Sequence, residues 1–175
     1  MPRPIDSLPV FYAHALAIER EAAERYEEFT VYFRDRGEEV LADLCASLAR
    51  HEAEHYAKLT RAASGMNLPR IDATRYQWLE SGSPEAPARE LIYRVTTPRQ
   101  LLEIALAGEL AGRRFFRWVV RTSRDPRVRS EARNMCHEEN EHVRWVMDAL
   151  QVRASSLDWE QMIATGTTPG NFTPG

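Results

Sequence analysis

Cysteine is scarce in this 175-residue chain, which holds only Cys45 and Cys136. They form no CxxC pair and no disulfide framework, a pattern that suits a reducing cytoplasm. Lysine is rarer still: Lys58 stands alone, and the other cations are arginines, a compositional bias rather than a functional signal. No apolar run approaches the roughly 20 residues that a bilayer-spanning helix needs. The opening MPRPIDSLPV lacks the basic and apolar regions of a signal peptide, so a cytoplasmic protein without membrane attachment is expected. A net charge of −3 gives no global field favouring nucleic acid. What remains is ordinary for a globular protein, with 43% hydrophobic and 28% charged residues. The length suffices for one domain with a sizeable core.

Hydrophobic periodicity divides the chain into four long helices. Asp6 or Ser7 can cap the first, which runs to about Arg36 before Gly37 breaks it. The second runs from about Glu38 to Ala63, with Gly65 beyond its end. Residues 66–97 carry Pro69, Pro84 and Pro87 and read as a long connection, with a short helix around Glu85 to Tyr93. Thr97 and Pro98 suit the first turn of a third helix. Asp125-Pro126 ends it and starts the fourth. The expected architecture is all-α: a ferritin-like four-helix bundle over residues 1–154, with two helical hairpins joined by one long crossover. Residues 155–175 read as a tail, with a short helix at DWEQMI and then an extended or disordered end.

Each helix carries one acid in its apolar stripe: Glu19, Glu52, Glu109 and Glu139. Two of these open a Glu-x-x-His pair, Glu52 with His55 and Glu139 with His142. Three residues is nearly one helical turn, so each pair projects from one face. The two halves repeat each other. Glu52 follows Glu19 by 33 residues, and Glu139 follows Glu109 by 30. Ala15 and Ala105 stand four residues before the lone glutamates, and Tyr26 and Phe116 seven after. A buried, unpaired carboxylate costs several kcal/mol, so each must be neutralised, paired or bound to a cation. Two divalent cations would balance four carboxylates, and oxygen with imidazole ligands suits iron, manganese or zinc. The expected metal ligands are therefore Glu19, Glu52, His55, Glu109, Glu139 and His142. Without metal such a site should be loose or partly protonated.

Other readings compete. A single mid-stripe glutamate is commonly a rim residue, and one Glu-x-x-His is weak. The run from His51 to His55 also fits HExxH, a zinc-hydrolase signature. No further ligand follows at the expected spacing, and Glu138 stands where a matching first histidine would fall in the second half. His51 is then expected at the bundle flank, as a surface residue or a support to the ligands. Glu54, Glu138, Glu141 and the remaining acids read as solvated faces. His14 and His137 fall off the metal stripe. Arg114, Arg117, Arg121 and Arg124 form a basic stripe read as ion-paired or solvated rather than as a nucleic-acid surface. Gly108 and Gly112 flank Glu109 and either permit close helix approach or leave room for a small oxidant, close packing being favoured.

The stretches ALAIEREAAERY, LARHEAEHYAKL, TTPRQLLEIALAGELAGRRFF and CHEENEHVRWV resemble the rubrerythrin-like branch of the ferritin-like superfamily. That resemblance implies a diiron centre held by the same six residues, with Glu52 and Glu139 as bridging ligands. It places Tyr26 beside the centre, where its hydroxyl could hydrogen-bond a ligand carboxylate. It implies a non-haem diiron oxidoreductase of peroxidase or ferroxidase type, reacting two iron ions with peroxide or dioxygen. Two features depart from the family. Peroxidase rubrerythrins carry a further glutamate where this chain has Gly112, and a rubredoxin-like domain with paired CxxC motifs that this chain lacks. Reduction would then need an external electron donor. A homodimer is expected, since such bundles pair along a helix face. A non-catalytic metal-binding or iron-handling protein is the alternative, and a structural four-helix module a third.

Overall fold

A computed structural model of the chain describes residues 2–71, 76–79, 83–84 and 92–151. Four long helices dominate it: α1 (Leu8–Arg34), α2 (Glu39–Ala62), α3 (Pro98–Thr122) and α4 (Pro126–Gln151), with one 3-10 turn at Ile92–Arg94. No strand occurs among the described residues, and the protein is an all-α four-helix bundle. Helices α1 and α2 pack as one hairpin and α3 and α4 as the other; the hairpins meet through α2 on α3 and α1 on α4. Among the described residues no helix is long and apolar enough to cross a membrane. The expected tail over 155–175, and all but the last residues of the expected helix near 85–93, lie outside the described residues.

Helix boundaries follow local chemistry. Gly37 adopts φ 74°, and the amides of Glu38 and Gly37 bond the carbonyls of Phe33 and Arg34. That is a Schellman termination, which needs the left-handed conformation a glycine adopts cheaply. Thr97 and Gln100 form a capping box at the start of α3, with Pro98 in its first turn. At α1 the expectation fails. Ser7 occupies the N-cap position without a side-chain capping bond. The Asp6 carboxylate instead accepts from Ser123 Oγ at 3.2 Å and from the Arg124 amide, tying the N-terminus to the α3–α4 turn.

The core is two apolar layers with a polar layer between them. One contains Tyr26, Phe29 and Phe33 of α1, Leu41 to Leu48 of α2, Leu101 to Ala105 of α3 and Val146 of α4. The other contains Phe11, Ala15 and Ile18 of α1, Leu59 of α2, Phe115 to Val119 of α3 and Val128 to Met135 of α4. Glu19, Glu52, Glu109 and Glu139 fall between the two on their respective helices. Burial of the flanking layers drives bundle formation and encloses the acids.

His14, predicted only to miss the metal stripe, latches the crossover. It is 1% exposed. Its Nε2 accepts from the Gln77 amide at 2.9 Å, so Nδ1 carries the proton and donates to the Val10 carbonyl at 2.8 Å. The Tyr76, Trp78 and Phe115 rings pack around it. Burial lowers its pKa and favours this neutral form.

Candidate metal centre

All four stripe glutamates are buried, with relative exposures of 2% for Glu19, 5% for Glu52, 8% for Glu109 and 4% for Glu139. They face one another across the bundle axis. Glu19 hydrogen-bonds Glu52, and Glu139 hydrogen-bonds Glu109. Each bond pairs two helices of one hairpin. His142 closes the group, its Nδ1 3.0 Å from Glu109 Oε2. Among the described residues no lysine or arginine forms an ion pair with Glu19, Glu109 or Glu139.

Electrostatics follow from that enclosure. Burial pushes the Glu19 carboxyl up to about 7, against the hydrogen bond from Glu52 and the nearby His142. Burial also pushes Glu139 well above the ordinary carboxylate value, reinforced by the charges of Glu109 and Glu19. Burial disfavours the His142 imidazolium, but its bond to Glu109 and the surrounding carboxylates prevail and raise its pKa. The buried acids thus favour protonation unless a cation offsets their charge.

The donor set fits a divalent ion. Glu52, Glu109 and His142 each offer an atom within 4.8 Å of the others. Gly112 contributes space. A Cβ added there would lie 3.0 Å from Glu139 Oε1 and 3.2 Å from its Cδ. The neighbour that exploits this glycine is a carboxylate of the facing helix.

The six expected ligands gather unevenly. Glu19, Glu52, Glu109, Glu139 and His142 form the buried cluster. His55 lies further out, its Nε2 3.3 Å from His142 Nε2 and its Nδ1 3.6 Å from Glu138 Oε2. That Nδ1 is buried without a hydrogen-bond partner. Burial, with the neighbouring His142, His51 and Lys58, pushes the His55 pKa down to about 3 and keeps the ring neutral. Tyr26 is 2% exposed and packs edge-on to Phe29 in the apolar layer beside the cluster.

Two residues read as peripheral lie at the mouth of the site. His51 is exposed on α2, yet its ring centroid is 5.0 Å from both His55 and His142. Glu138 is not a freely solvated acid: it pairs with Lys58 and faces His55. The only lysine of the chain thus sits at this mouth, a placement that its rarity alone did not reveal. Together they line a cleft of about 600 Å³ that reaches His55 and His142 from solvent.

Comparison with known proteins bears on the family and the fold. The Rubrerythrin family model matches residues 11–94, covering the first hairpin and the crossover. The crystal structure of an uncharacterised conserved protein from Magnetospirillum magnetotacticum MS-1 is similar to this chain at 27% identity, with a TM-score of 0.64. The alignment covers 85% of this chain and 98% of that one. No curated protein matches.

Proposed function

We propose, from the premise that the chain is a rubrerythrin-like, ferritin-like protein, that it is a cytoplasmic diiron oxidoreductase acting on peroxide or dioxygen. The observation that carries this reading is the layer of four buried glutamates and His142, enclosed between two apolar layers, with no lysine or arginine ion-paired to Glu19, Glu109 or Glu139 among the described residues. Glu19, Glu52, His55, Glu109, Glu139 and His142 would hold two iron ions, with manganese or zinc as other candidates for the same donors. Glu52 and Glu139, one from each hairpin, would be among the carboxylates that hold them.

Iron bound there would supply electrons and Lewis acidity to the oxidant. The chain's own residues do the rest. The apolar layers exclude water on both sides of the acids. Glu19 and Glu139, whose burial favours protonation without a cation, would release their protons as the ions enter. Tyr26 would support a ligand carboxylate from the adjoining layer. With no CxxC motif in the chain, electrons would come from an external donor. A homodimer is the assembly proposed.

Anaerobic loading with Fe(II), followed by peroxide or dioxygen, tests the reading. Growth of ferric absorption, reversed by a chemical reductant, is expected. Two bound ions that ignore both oxidants would replace it with the second reading, a non-catalytic protein that holds or passes on iron. The zinc-hydrolase reading is weaker, because Glu52 of HExxH hydrogen-bonds Glu19 in the buried cluster.

A further inference from the structure

We propose that His51, His55 and His142 form a tri-imidazole entry position for a divalent transition-metal ion at the mouth of the carboxylate cluster, sharing His55 and His142 with the inner centre. Its residues come from two helices: His51 and His55 lie one turn apart on α2, and His142 faces them from α4. The three rings offer nitrogen atoms that all lie within 4.8 Å of one another. Two nitrogens bound to one ion at about 2.0–2.1 Å and a tetrahedral angle lie about 3.3–3.4 Å apart. His55 Nε2 and His142 Nε2 are 3.3 Å apart.

The outer atoms of these rings are also arranged for ligation. His142 places Nδ1 on Glu109 at 3.0 Å, and His55 turns Nδ1 toward Glu138 at 3.6 Å. Glu109 behind His142 fixes that ring and strengthens its far nitrogen as a donor, while Glu138 faces His55 Nδ1 without a hydrogen bond. His51 is steadied differently, by the Trp145 indole lying nearly parallel to it at 6.4 Å and 16°. The fourth position opens on the cleft, which Glu138, Glu141 and Asp148 line with carboxylates and Lys58 and Arg144 with cations. Three carboxylates against two cations favour a divalent ion in a cleft that focuses their field.

His55 and His142 belong to both positions, and His142 presents Nε2 to the mouth and Nδ1 to Glu109. An ion held by the three imidazoles is therefore one ring away from the buried carboxylates. The mouth position captures the incoming ion and hands it inward. This transit role rests on the two-metal reading; the tri-imidazole position does not.

Co²⁺ is the probe. Imidazole-rich, four-coordinate Co²⁺ absorbs strongly in the visible, whereas six-coordinate, carboxylate-rich Co²⁺ absorbs weakly. Added to the full chain, Co²⁺ should give an early, strongly absorbing phase that decays as the ion moves inward. His51→Ala should abolish that phase and slow uptake about tenfold or more, with two ions still bound at the end. His51→Cys should restore an early phase, now with thiolate charge-transfer absorption, which separates lost ligation from lost folding. An unchanged early phase and uptake rate in His51→Ala would overturn the proposal. So would a final count below two in that variant, because His51 would then belong to the inner centre. Wild-type protein with the early phase but one ion at the end would retain the tri-imidazole position and sink the two-metal reading. Two ions and no early phase would do the reverse.

Discussion

Replacing Gly112 with alanine is expected to stabilise the metal-free protein and weaken its metal centre. Glycine inside a helix costs about 0.5–1 kcal/mol relative to alanine, and Gly112 lies well inside α3. The added Cβ would meet Glu139 Oε1 at 3.0 Å, Cδ at 3.2 Å and Oε2 at 3.3 Å. All three atoms belong to the far end of one flexible side chain, so in the metal-free protein the carboxylate can retreat by a few tenths of an ångström. Most of the helix gain should survive. At about 2–4 °C per kcal/mol for a chain of this size, the melting temperature should rise by about 1–4 °C. A carboxylate held by a metal would have no such freedom, and displacing it should cost affinity about tenfold, at the lower end of losses seen when a ligand's support is removed. Thermal melts of chelated protein and competition titration with a metal indicator give the two numbers. Unchanged metal affinity in Gly112→Ala would refute the placement of Glu139 among the ligands. A lowered melting temperature of the metal-free protein would refute the claim that its carboxylate is free to move.

Other predictions follow from the same geometry. Glu19 carries a pKa raised from 4.5 to about 7, so its contribution to metal-free stability is complete below about pH 4.5 and is lost as pH rises through 7. Relative to wild type, Glu19→Gln should therefore gain on the order of 3 kcal/mol between pH 4.5 and 8; denaturant melts that show a constant difference would exclude this. Saturating a metal at about 1,000 times its dissociation constant should add about 4 kcal/mol of stability, and Glu52→Ala should lose that gain in a thermal melt. His14→Ala should cost about 2–4 kcal/mol, through the lost ring packing and the orphaned Gln77 amide, in denaturant unfolding. Thr97→Ala removes one half of the α3 capping box and should cost about 1 kcal/mol in the same assay.

Helix ends were legible because their signals are local. Gly37, Gly65, Thr97-Pro98 and Asp125-Pro126 each act on the backbone beside them, and each marks an end within a few residues. The acid layer was legible because helical phase carries across a stripe: Glu19, Glu52, Glu109 and Glu139 interrupt apolar runs at matched positions. Asp6 escaped because its partners, Ser123 and Arg124, are distant in sequence, and no periodicity links them. His14 was placed off the stripe correctly, but its latch depends on Gln77 in an aperiodic crossover. His51 and Glu138 show the limit of phase. It gives the direction of a Cα–Cβ bond, whereas a long side chain at the rim can lean back toward the site. Their proximity to His55 and His142 depends on how closely α2 and α4 approach, which neither helix encodes alone.

Metal stoichiometry tests the central claim most directly. Wild-type protein and Glu52→Ala are loaded anaerobically with Fe(II), dialysed, and measured by elemental analysis against protein concentration. The six-ligand centre predicts two ions per wild-type chain and a loss of bound metal in Glu52→Ala. One ion or none in the wild type, or a count that Glu52→Ala leaves untouched, would contradict it.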